Sequence, residues 1–374
     1  MKFFPAADIS FTLLSWGTRY LRFLPWRINR SLYGTIVSEF MLQQTQVQTV
    51  IPYFSRWTGR FPTVEHVARA GIDEILKHWE GLGYYNRARN LHRLCQLLCQ
   101  MDALPQTPEE WLAMPGVGPY TAVAISAIGQ NFDAIALDGN IIRTLARLIG
   151  HREVFKNKNA ANICLRSYAD SLVIPGRCAL LNEALMDFGA TVCTPRGAFC
   201  KNCPIKRFCQ TYQQQLPAAV IPAFARPVHK NDVVYRLLAV RDGKILLQTS
   251  RLKRLRAIYE FPQLLLENMP NVPSGFVGRR NIGNHCYEEH FVTASGSPIY
   301  KSIDLSRGSV AWISPGNLDD IVLSGPHRRW LPRLLDLTAN AEITTTNSIT
   351  TPCYFPVFNG SKTGRVKSDS LPTA

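Results

Sequence analysis

Four cysteines lie close together near the middle of this chain, and they restrict how that stretch can fold. Cys193, Cys200, Cys203 and Cys209 follow the spacing C-x6-C-x2-C-x5-C, so their thiols can converge on one metal centre. A tetrahedral zinc ion and a four-iron cluster both accept four thiolates. Zinc sites usually contain two close C-x2–4-C pairs, whereas only Cys200 and Cys203 are that close here. The spacing therefore favours an iron–sulfur cluster.

Basic residues lie among these four cysteines. Lys201, Lys206 and Arg207 supply positive charge, which is expected to favour thiolates over thiols. The alternative, four unrelated buried thiols, is less consistent with such clustering. The remaining cysteines are scattered along the chain and are interpreted as small core residues. They are Cys95, Cys99, Cys164, Cys178, Cys286 and Cys353.

Length and charge narrow the class of protein. A chain of 374 residues suggests two or three domains at roughly 150 residues each. Lys and Arg number 42 against 27 Asp and Glu, a net charge of +15, which favours a polyanionic partner such as nucleic acid. A general basic bias is the alternative. No apolar run is long enough to span a bilayer, and the first residues make a poor signal peptide. We therefore expect a soluble intracellular protein without a membrane partner, cytoplasmic and nucleoid-associated if its source is bacterial.

Hydrophobic periodicity divides the chain into four segments. Apolar residues recur at helical spacing over residues 1–212, and this segment is predicted to be mainly α-helical. Residues 213–230 contain three prolines and are predicted to be a linker. Residues 231–340 are predicted to form a smaller α+β domain, and residues 341–374 a flexible tail.

Within the α+β domain, a β-hairpin is predicted at Asp242-Gly243. The β-rich runs 233–240 and 244–249 flank this turn signal. Further short strands are expected near 289–294 and 298–304, and a final helix near 327–338.

A glycine-rich turn and an aspartate follow one another in the helical segment. Gly116 and Gly118 allow a tight turn before a helix start, a geometry that suits a phosphate group. A plain helix–helix turn is the alternative. Asp138 precedes the amphipathic run 141–149 and is either an ordinary helix cap or a carboxylate kept ionised by the helix dipole. In the second case it could stabilise a sugar cation, as carboxylates do in glycoside cleavage.

A second candidate carboxylate is Glu39, which is expected to lie on a long helix over residues 31–54. Its apolar neighbours place it either in solvent or in a pocket that raises its pKa, where it could act as a general acid. The nearby Gln43, Gln44 and Gln46 form an amide surface that suits base edges or is simply solvated.

Paired aromatic and basic residues follow a double-glycine turn. Tyr84, Tyr85, Arg87 and Arg89 come directly after the turn 81–83. Stacking surfaces interleaved with positive charge suit an opened nucleic-acid strand, although tyrosines are more often core residues.

Together these motifs resemble a known family, the adenine DNA glycosylase (MutY) branch of the helix-hairpin-helix glycosylases. The resemblance covers about residues 20–210 and rests on several segments in order. They are Ser38–Gln46, Gly81–Arg89, Met114–Gly118, Leu137–Asn140 and the four cysteines. The α+β domain is similar, more weakly, to that family's Nudix-like C-terminal domain through Asp242-Gly243, Tyr259–Pro262 and Gly325–Arg329. It has no intact Nudix hydrolase box, so it is interpreted as a recognition domain.

The resemblance implies a role for each catalytic candidate. Glu39 would protonate the five-membered ring of adenine, and Asp138 would stabilise the sugar cation or a covalent sugar intermediate. Tyr120 would position Glu39 or the nucleophile, and Asn140 would steady the site. The related endonuclease III branch has a lysine where this chain has Tyr120, so base removal without efficient strand cleavage is expected.

The resemblance also implies contacts with DNA and a cofactor. The partner would be double-stranded DNA with adenine opposite 8-oxoguanine or guanine, bound by a monomer. Gln44 and Tyr84 would fill the space left by the everted adenine. The other DNA contacts would be Gln43, Gly116, Gly118 and Arg87. The four cysteines would hold a 4Fe–4S cluster, and Trp26 and Arg27 match a stretch near the base pocket.

One stretch departs from the family pattern. The family senses 8-oxoguanine with a short aromatic-Ser-His loop, and the nearest segment here is Tyr287-Glu288-Glu289. Two carboxylates beside phosphate would weaken lesion discrimination, unless the alignment is shifted. A non-catalytic iron–sulfur mismatch-binding protein and an endonuclease III-like pyrimidine-lesion glycosylase are the competing hypotheses.

Overall fold

The computed structural model describes most of the chain. It covers residues 6–216, 230–249, 258–265, 276–282, 285–293, 299 and 302–342. Most of the predicted linker, nearly all of the predicted tail and Cys353 lie outside these described residues. Among the described residues, no helix has both the length and the apolar character needed to cross a membrane.

Residues 6–216 are helical, as the periodicity predicts. The α-helices are α1 (Ala6–Tyr20), α2 (Pro25–Ile28), α3 (Leu32–Leu42), α4 (Val47–Arg60), α5 (Val64–Arg69), α6 (Ile72–Trp79), α7 (Asn86–Leu98), α8 (Pro108–Leu112), α9 (Pro119–Ala124), α10 (Gly139–Leu148), α11 (Lys158–Ser171), α12 (Cys178–Thr191) and α13 (Gln210–Gln213). A π-helical turn, Ile125–Gly129, extends α9, and two short 3-10 turns, Cys200–Asn202 and Lys206–Phe208, lie in the cysteine-rich loop.

The helical region has two hydrophobic cores. Helix α3 contributes Phe40 to the first core, which also contains Trp79. Helix α10 contributes Ile141 to the second, which also contains Phe188. The apolar faces of α3 and α10 therefore enter different cores.

The prediction of one helix over residues 31–54 is wrong, because the chain turns between α3 and α4. Ser31 caps the start of α3 by accepting a hydrogen bond from the Gly34 amide, as serine often does. At the other end Gln44 adopts a left-handed backbone with φ of 59°. The guanidinium of Arg87 binds carbonyls at the end of α3, which satisfies groups that would otherwise continue the helix.

The C-terminal described residues form an α+β domain, as predicted. Its strands are β1 (Lys230–Leu238), β2 (Val240–Arg241), β3 (Lys244–Thr249), β4 (Tyr259–Glu260), β5 (Phe276–Ile282), β6 (His285–Thr293) and β7 (Val310–Ile313), and its helix is α14 (Gly325–Glu342). One sheet has the order β1-β6-β5, and the other has β2-β3-β4 with β7 paired to β3. β1 and β6 are parallel, and β5 and β6 are antiparallel.

The predicted hairpin is only partly correct. Asp242 and Gly243 form a turn with φ of 49° and 68°, and β2 pairs antiparallel with β3 across it. The predicted strand 233–240 divides at Ala239, however, so that β1 belongs to the other sheet.

The other predictions for this domain have mixed outcomes. The final helix is confirmed and is longer than expected. The strand predicted near 289–294 is confirmed as β6, which begins earlier, whereas β5 and β7 were not predicted. For the strand predicted near 298–304, the described residues show only an isolated bridge between Ile303 and Leu264.

Candidate active site

Glu39 lies in a buried polar pocket, defined here as the environment that it shares with Tyr120 and Asp138. It is on α3, and only 6% of its surface is exposed. A hydrogen bond joins its carboxyl group to the side chain of Tyr120. Burial raises the pKa of Glu39 to about 7, and the charge of Asp138 adds to this rise. The Tyr120 bond and the charge of Arg27 lower that pKa, but they do not outweigh burial. Of the two interpretations of the sequence, the structure fits the pocket and not the solvated position.

Asp138 caps α10 and faces the same pocket. Its carboxylate accepts hydrogen bonds from the Ile141 amide at 2.6 Å and from Asn140 Nδ2 at 3.0 Å. These donors favour the ionised form, yet burial is the larger effect, and the pKa of Asp138 is raised. Asp138 is thus both a helix cap and a buried carboxyl group, so the helix start is not the only influence on its pKa.

Tyr120 links the glycine-rich turn to this pocket. It lies in the first turn of α9, and burial together with the charges of Glu39 and Asp138 raises its pKa well above the ordinary value. The phenol therefore keeps its proton and can donate it in a hydrogen bond to Glu39. The three side chains form one electrostatically coupled group, in which a proton on Glu39 relieves the repulsion between two carboxylates.

Sequence reasoning missed a second network beside this pocket. Arg27 contacts Glu183 at 3.3 Å and Asp187 at 2.7 Å, and both carboxylates are buried on α12. Arg22 also pairs with Asp187 at 2.6 Å. The sequence signal was the presence of two acids within the otherwise apolar run of α12. Trp26 packs edge-on against Phe54, with ring centroids 5.4 Å apart.

Arg143 was also missed, and it joins the pocket to the cysteine-rich loop. Its guanidinium donates to Asn140 Oδ1 at 2.8 Å and to the Gly189 carbonyl at 2.6 Å. Its Nε donates to the Cys193 carbonyl at 2.9 Å. Asn140, which contacts Asp138, is thus fixed by the same side chain that holds the start of the loop.

The glycine-rich turn lies next to α3. Gly116 has a φ of 75°, and a Cβ atom there would lie 2.6 Å from the Cβ of Asn90, so a larger residue does not fit. Gly118 is the N-cap of α9. Gln43 donates from its side-chain amide to the Gly116 carbonyl at 3.4 Å and to Thr121 Oγ1 at 3.3 Å, so its side chain bridges α3 and this turn.

Gln44 and Tyr84 lie at the surface on neighbouring loops. Both have left-handed backbones, with φ of 59° and 48°, and Tyr84 is 43% exposed. Exposed side chains on two sharp turns are available to a macromolecular partner, in agreement with where the sequence places them.

Arg87 is positioned differently from its prediction as a DNA contact. It is only 7% exposed, and its guanidinium donates to carbonyls at the end of α3 and on the turn 81–83, including Met41 at 2.7 Å and Gly83 at 3.1 Å. Thr45 Oγ1 accepts a further bond at 3.0 Å. Because these bonds occupy both terminal nitrogens of the guanidinium inside the protein, Arg87 fastens the end of α3 to the turn 81–83 instead of binding a phosphate.

The four cysteines of the motif line a single cavity. This cavity has a volume of about 210 Å³ and is bordered by Cys193, Cys200, Cys203 and Cys209. Within the described part of the chain, no group of three or more His, Cys, Asp or Glu side chains is arranged to hold a metal ion. Four thiols around a cavity are a donor set for an iron–sulfur cluster, a larger group than one ion.

The flanking basic residues do not control these thiols as expected. Burial raises the pKa of Cys203 to about 12 and that of Cys209 to about 11. The cation in contact is Arg147, whose guanidinium lies 3.3 Å from Cys193 Sγ. The expected stabilisation of thiolates by Lys201, Lys206 and Arg207 is therefore outweighed by burial, and metal binding must displace the thiol protons.

The segment that departs from the family pattern is a strand and not a loop. Glu289 lies on β6, fully buried, and pairs with Arg236 at 3.0 Å. Glu288 pairs with Arg279 at 2.8 Å. Both carboxylates are neutralised within the domain, so the concern that they repel phosphate does not apply to this arrangement.

Comparisons with known proteins agree with this geometry. Residues 37–168 match the sequence profile of the HhH-GPD superfamily of base excision DNA repair proteins. An adenine DNA glycosylase of Schizosaccharomyces pombe is 37% identical over 227 residues, covering 54% of this chain and 49% of that protein. An adenine DNA glycosylase of Arabidopsis thaliana is 31% identical over 323 residues, covering 75% of this chain and 50% of the relative. A solved thermostable thymine-DNA glycosylase has a TM-score of 0.50 and 26% identity, covering 56% of this chain and 97% of its own.

The fold and these matches place the helical region in the helix-hairpin-helix superfamily of base excision DNA repair proteins. Within that superfamily the chain is similar to adenine DNA glycosylases, which confirms the resemblance to the MutY family seen in its motifs. The chain spans about half the length of the curated relatives that it matches.

Proposed function

We propose that this protein is a monofunctional DNA glycosylase that hydrolyses the N-glycosidic bond of adenine mispaired with 8-oxoguanine or guanine. The observation that carries this proposal is the buried Glu39, with a pKa near neutrality, coupled to Asp138 and Tyr120. When two carboxyl groups share one proton, one of them can act as the general acid while the other remains an anion.

Glu39 is the general acid in this proposal. With a pKa of about 7 it is protonated in a large fraction of molecules at neutral pH and still acidic enough to give up its proton, which is the best compromise for acid catalysis. Proton transfer to a ring nitrogen of adenine makes the base a neutral leaving group. The Tyr120 hydroxyl orients the carboxyl group during this transfer.

Asp138 is the electrostatic partner of the sugar. As the glycosidic bond breaks, positive charge develops on the sugar ring, and a nearby carboxylate stabilises it. The donors on Ile141 and Asn140 keep that carboxylate oriented. Tyr120 has no amine to form a Schiff base, so base release without efficient strand cleavage follows.

Double-stranded DNA is the partner, bound by a monomer, which in a bacterium would be cytoplasmic and nucleoid-associated. The net charge of +15 favours attraction to the phosphate backbone, and the turn at Gly116 and Gly118 offers backbone amides to phosphates. Gln44 and Tyr84 enter the duplex where the adenine has left it, which stabilises the everted state.

The four cysteines hold a 4Fe–4S cluster in this proposal. They line one cavity, and the cluster would brace the basic loop of residues 193–209 for phosphate contacts. Iron and acid-labile sulfide should each approach about four per protein. Stoichiometric zinc in protein purified without oxygen would contradict the assignment.

The C-terminal region is a Nudix-like recognition domain over residues 231–340, joined to the helical region 1–212 by the linker 213–230 and followed by the tail 341–374. It would contribute to the choice of the base opposite adenine. Excision opposite 8-oxoguanine, guanine and thymine, with and without residues 231–374, tests this role. Equal preferences in both proteins would contradict it.

The decisive experiment compares Glu39→Gln with Glu109→Gln, since Glu109 is exposed on α8. Loss of the general acid should slow adenine release by at least about 10³-fold while binding to the mismatch persists. The Glu109 variant should match the unaltered protein. Adenine release by Glu39→Gln at a normal rate would refute the proposal.

The same assay separates the two competing hypotheses. A mismatch-binding protein without chemistry would release no free adenine from any duplex. An endonuclease III-like enzyme would be trapped on DNA by borohydride, which requires an amine that Tyr120 does not supply.

A further inference from the structure

The C-terminal domain packs directly beside the turn that carries Tyr84. Ile258 and Val322 belong to the same buried cluster as Trp79 and Tyr85 of the helical region. Since burial of apolar surface is the main source of docking energy, this contact fixes the C-terminal domain against the end of α6 and the start of α7.

Two hydrogen bonds cross the same contact. Lys77 Nζ donates to the Ile321 carbonyl at 3.0 Å, and the Tyr85 hydroxyl donates to the Leu323 carbonyl at 3.3 Å. Both donors lie in the helical region, and both acceptors lie just before α14.

An ion pair completes the contact. Arg328 Nε donates to Glu80 Oε1 at 2.6 Å, and Lys77 donates to the other oxygen of Glu80 at 2.9 Å. The same guanidinium binds the carbonyls of Leu318 at 2.7 Å and Ile321 at 3.2 Å. Arg328 is thus anchored in its own domain and reaches the residue that immediately precedes the turn.

The turn needs such support because its backbone is strained. Gly81, Gly83 and Tyr84 have φ of 101°, 71° and 48°, and a left-handed backbone is unfavourable for a tyrosine. A Cβ atom on Gly325, the first residue of α14, would lie 3.5 Å from the Cα of Gly81. The start of α14 therefore lies against the turn itself.

We infer that Glu80 and Arg328 are a positioning pair, through which the C-terminal domain holds the turn 81–83 so that Tyr84 is presented for insertion into the duplex. The inference rests on the proposed function, because insertion matters only if a base is everted. The pair acts on eversion and not on bond cleavage, since neither residue belongs to the group formed by Glu39, Tyr120 and Asp138.

Eversion is measured in the excision-deficient Glu39→Gln background. A duplex with 2-aminopurine in place of the target adenine becomes more fluorescent when that base leaves the stack. Adding Arg328→Gln should reduce the fluorescence gain at saturating protein by about fivefold. Adding Arg329→Gln, which alters the exposed neighbour of the same charge, should leave the gain unchanged. Equal gains in the two variants would overturn the inference.

Single-turnover excision in the otherwise unaltered protein distinguishes positioning from general damage. Arg328→Gln should slow adenine release from a mispair by about fivefold, but not release of an adenine opposite an abasic site, whose eversion costs less. Equal slowing on both duplexes would overturn the inference. If Arg328→Gln folds poorly, Arg328→Lys provides the second variant. It keeps the positive charge and should release adenine from the mispair at no less than half the rate of the unaltered protein.

The pair itself is tested by a double-mutant cycle. Glu80→Gln should cause the same loss as Arg328→Gln, and the double variant should lose no more than either. Fully additive losses would show that the two residues act separately. If the unaltered protein releases no adenine from either duplex, the proposed function fails; if it does and the Arg328 variants behave normally, only this inference fails.

Discussion

A pair of buried carboxylates in the active-site pocket and a pair in the C-terminal domain have opposite pKa shifts. In the helical region the pKa values of Glu39 and Asp138 are raised. In the C-terminal domain the pKa of Glu260 falls to about 2, and that of Glu289 falls further. Burial alone raises the pKa of all four groups, so the difference must come from their partners.

The partners in the C-terminal domain are cationic and close. Arg236 Nε lies 3.0 Å from Glu289, and Arg280 lies 2.7 Å from Glu260. The Phe261 amide donates to His327 Nδ1, so the ring proton is on Nε2, which donates to Glu289 at 2.7 Å. Each carboxylate is thereby compensated, and the cluster is structural.

Compensation in the active-site pocket is incomplete by comparison. Glu39 has a phenol and a second carboxylate for neighbours, and the cation that lowers its pKa, Arg27, is shared with Glu183 and Asp187. A buried acidic side chain that has no cation of its own is therefore the better indicator of a catalytic role. A buried acidic side chain that is fully paired indicates a structural role.

The largest expected effect is on stability in the C-terminal domain. Glu289→Gln leaves Arg236 and Arg280 without a full counter-charge inside the domain, which should cost about 3–5 kcal/mol of unfolding free energy. Urea unfolding followed by domain-resolved hydrogen exchange measures this loss. Glu288→Gln, on the same strand but partly exposed, is the control and should change little. Equal losses of unfolding free energy in the two variants would contradict the structural role assigned to Glu289.

The next effect is the pH dependence of base release. If Glu39 must carry a proton, the single-turnover rate should fall about tenfold per pH unit above its pKa, which is about 7. Rates measured from about pH 6 to about pH 9 on one mispaired duplex test this. A flat profile would show that the raised pKa of Glu39 has no part in the chemistry.

A smaller effect is the stability cost of the pocket. The folded-state pKa of Glu39, about 7, exceeds the ordinary value of 4.5, so its burial is free of cost at low pH and becomes costly as pH rises between these values. Glu39→Gln should therefore raise unfolding free energy by on the order of 1–3 kcal/mol at pH 8 and by little at pH 4. Glu289 has the opposite sign, because its lowered pKa means that stability is lost as pH falls. Equal gains for Glu39→Gln at both pH values would contradict this account.

The smallest effect concerns coupling within the pocket. Since the charge of Asp138 raises the pKa of Glu39, Asp138→Asn should lower it. Carbon NMR of a glutamate-labelled protein, with Glu39→Gln to assign the signal, measures the change. An unchanged titration would mean that the two carboxylates do not sense each other.

Much of the candidate site could be predicted from the sequence because its signals are local. Asp138 precedes an amphipathic helix and caps it, and the glycines at 116 and 118 mark a turn by their conformational freedom. Glu39 among apolar neighbours left only two interpretations, and burial decides between them.

The errors come from contacts between residues distant in sequence. The helix over residues 31–54 is interrupted because Arg87, more than forty positions away, binds its carbonyls. The strand 233–240 is divided because β1 pairs with β6, a partner that no local pattern identifies. Arg143 and Glu183 look like ordinary helix residues until the fold brings their partners to them.

The guanidinium of Arg87 has a consequence for tolerance to substitution. Six acceptors converge on its two terminal nitrogens, from the end of α3, the residues that follow it and the turn after α6. Lysine, with one nitrogen and three protons, could serve at most half of them. Glu39, the proposed proton donor, lies one turn from the end of α3. Loss of these hydrogen bonds would therefore make the position of Glu39 less fixed, as well as those of Gln44 and Tyr84. Arg87→Lys exchanges one cation for another and would normally be a mild change. Here it would weaken the positioning of Glu39, Gln44 and Tyr84 at the same time.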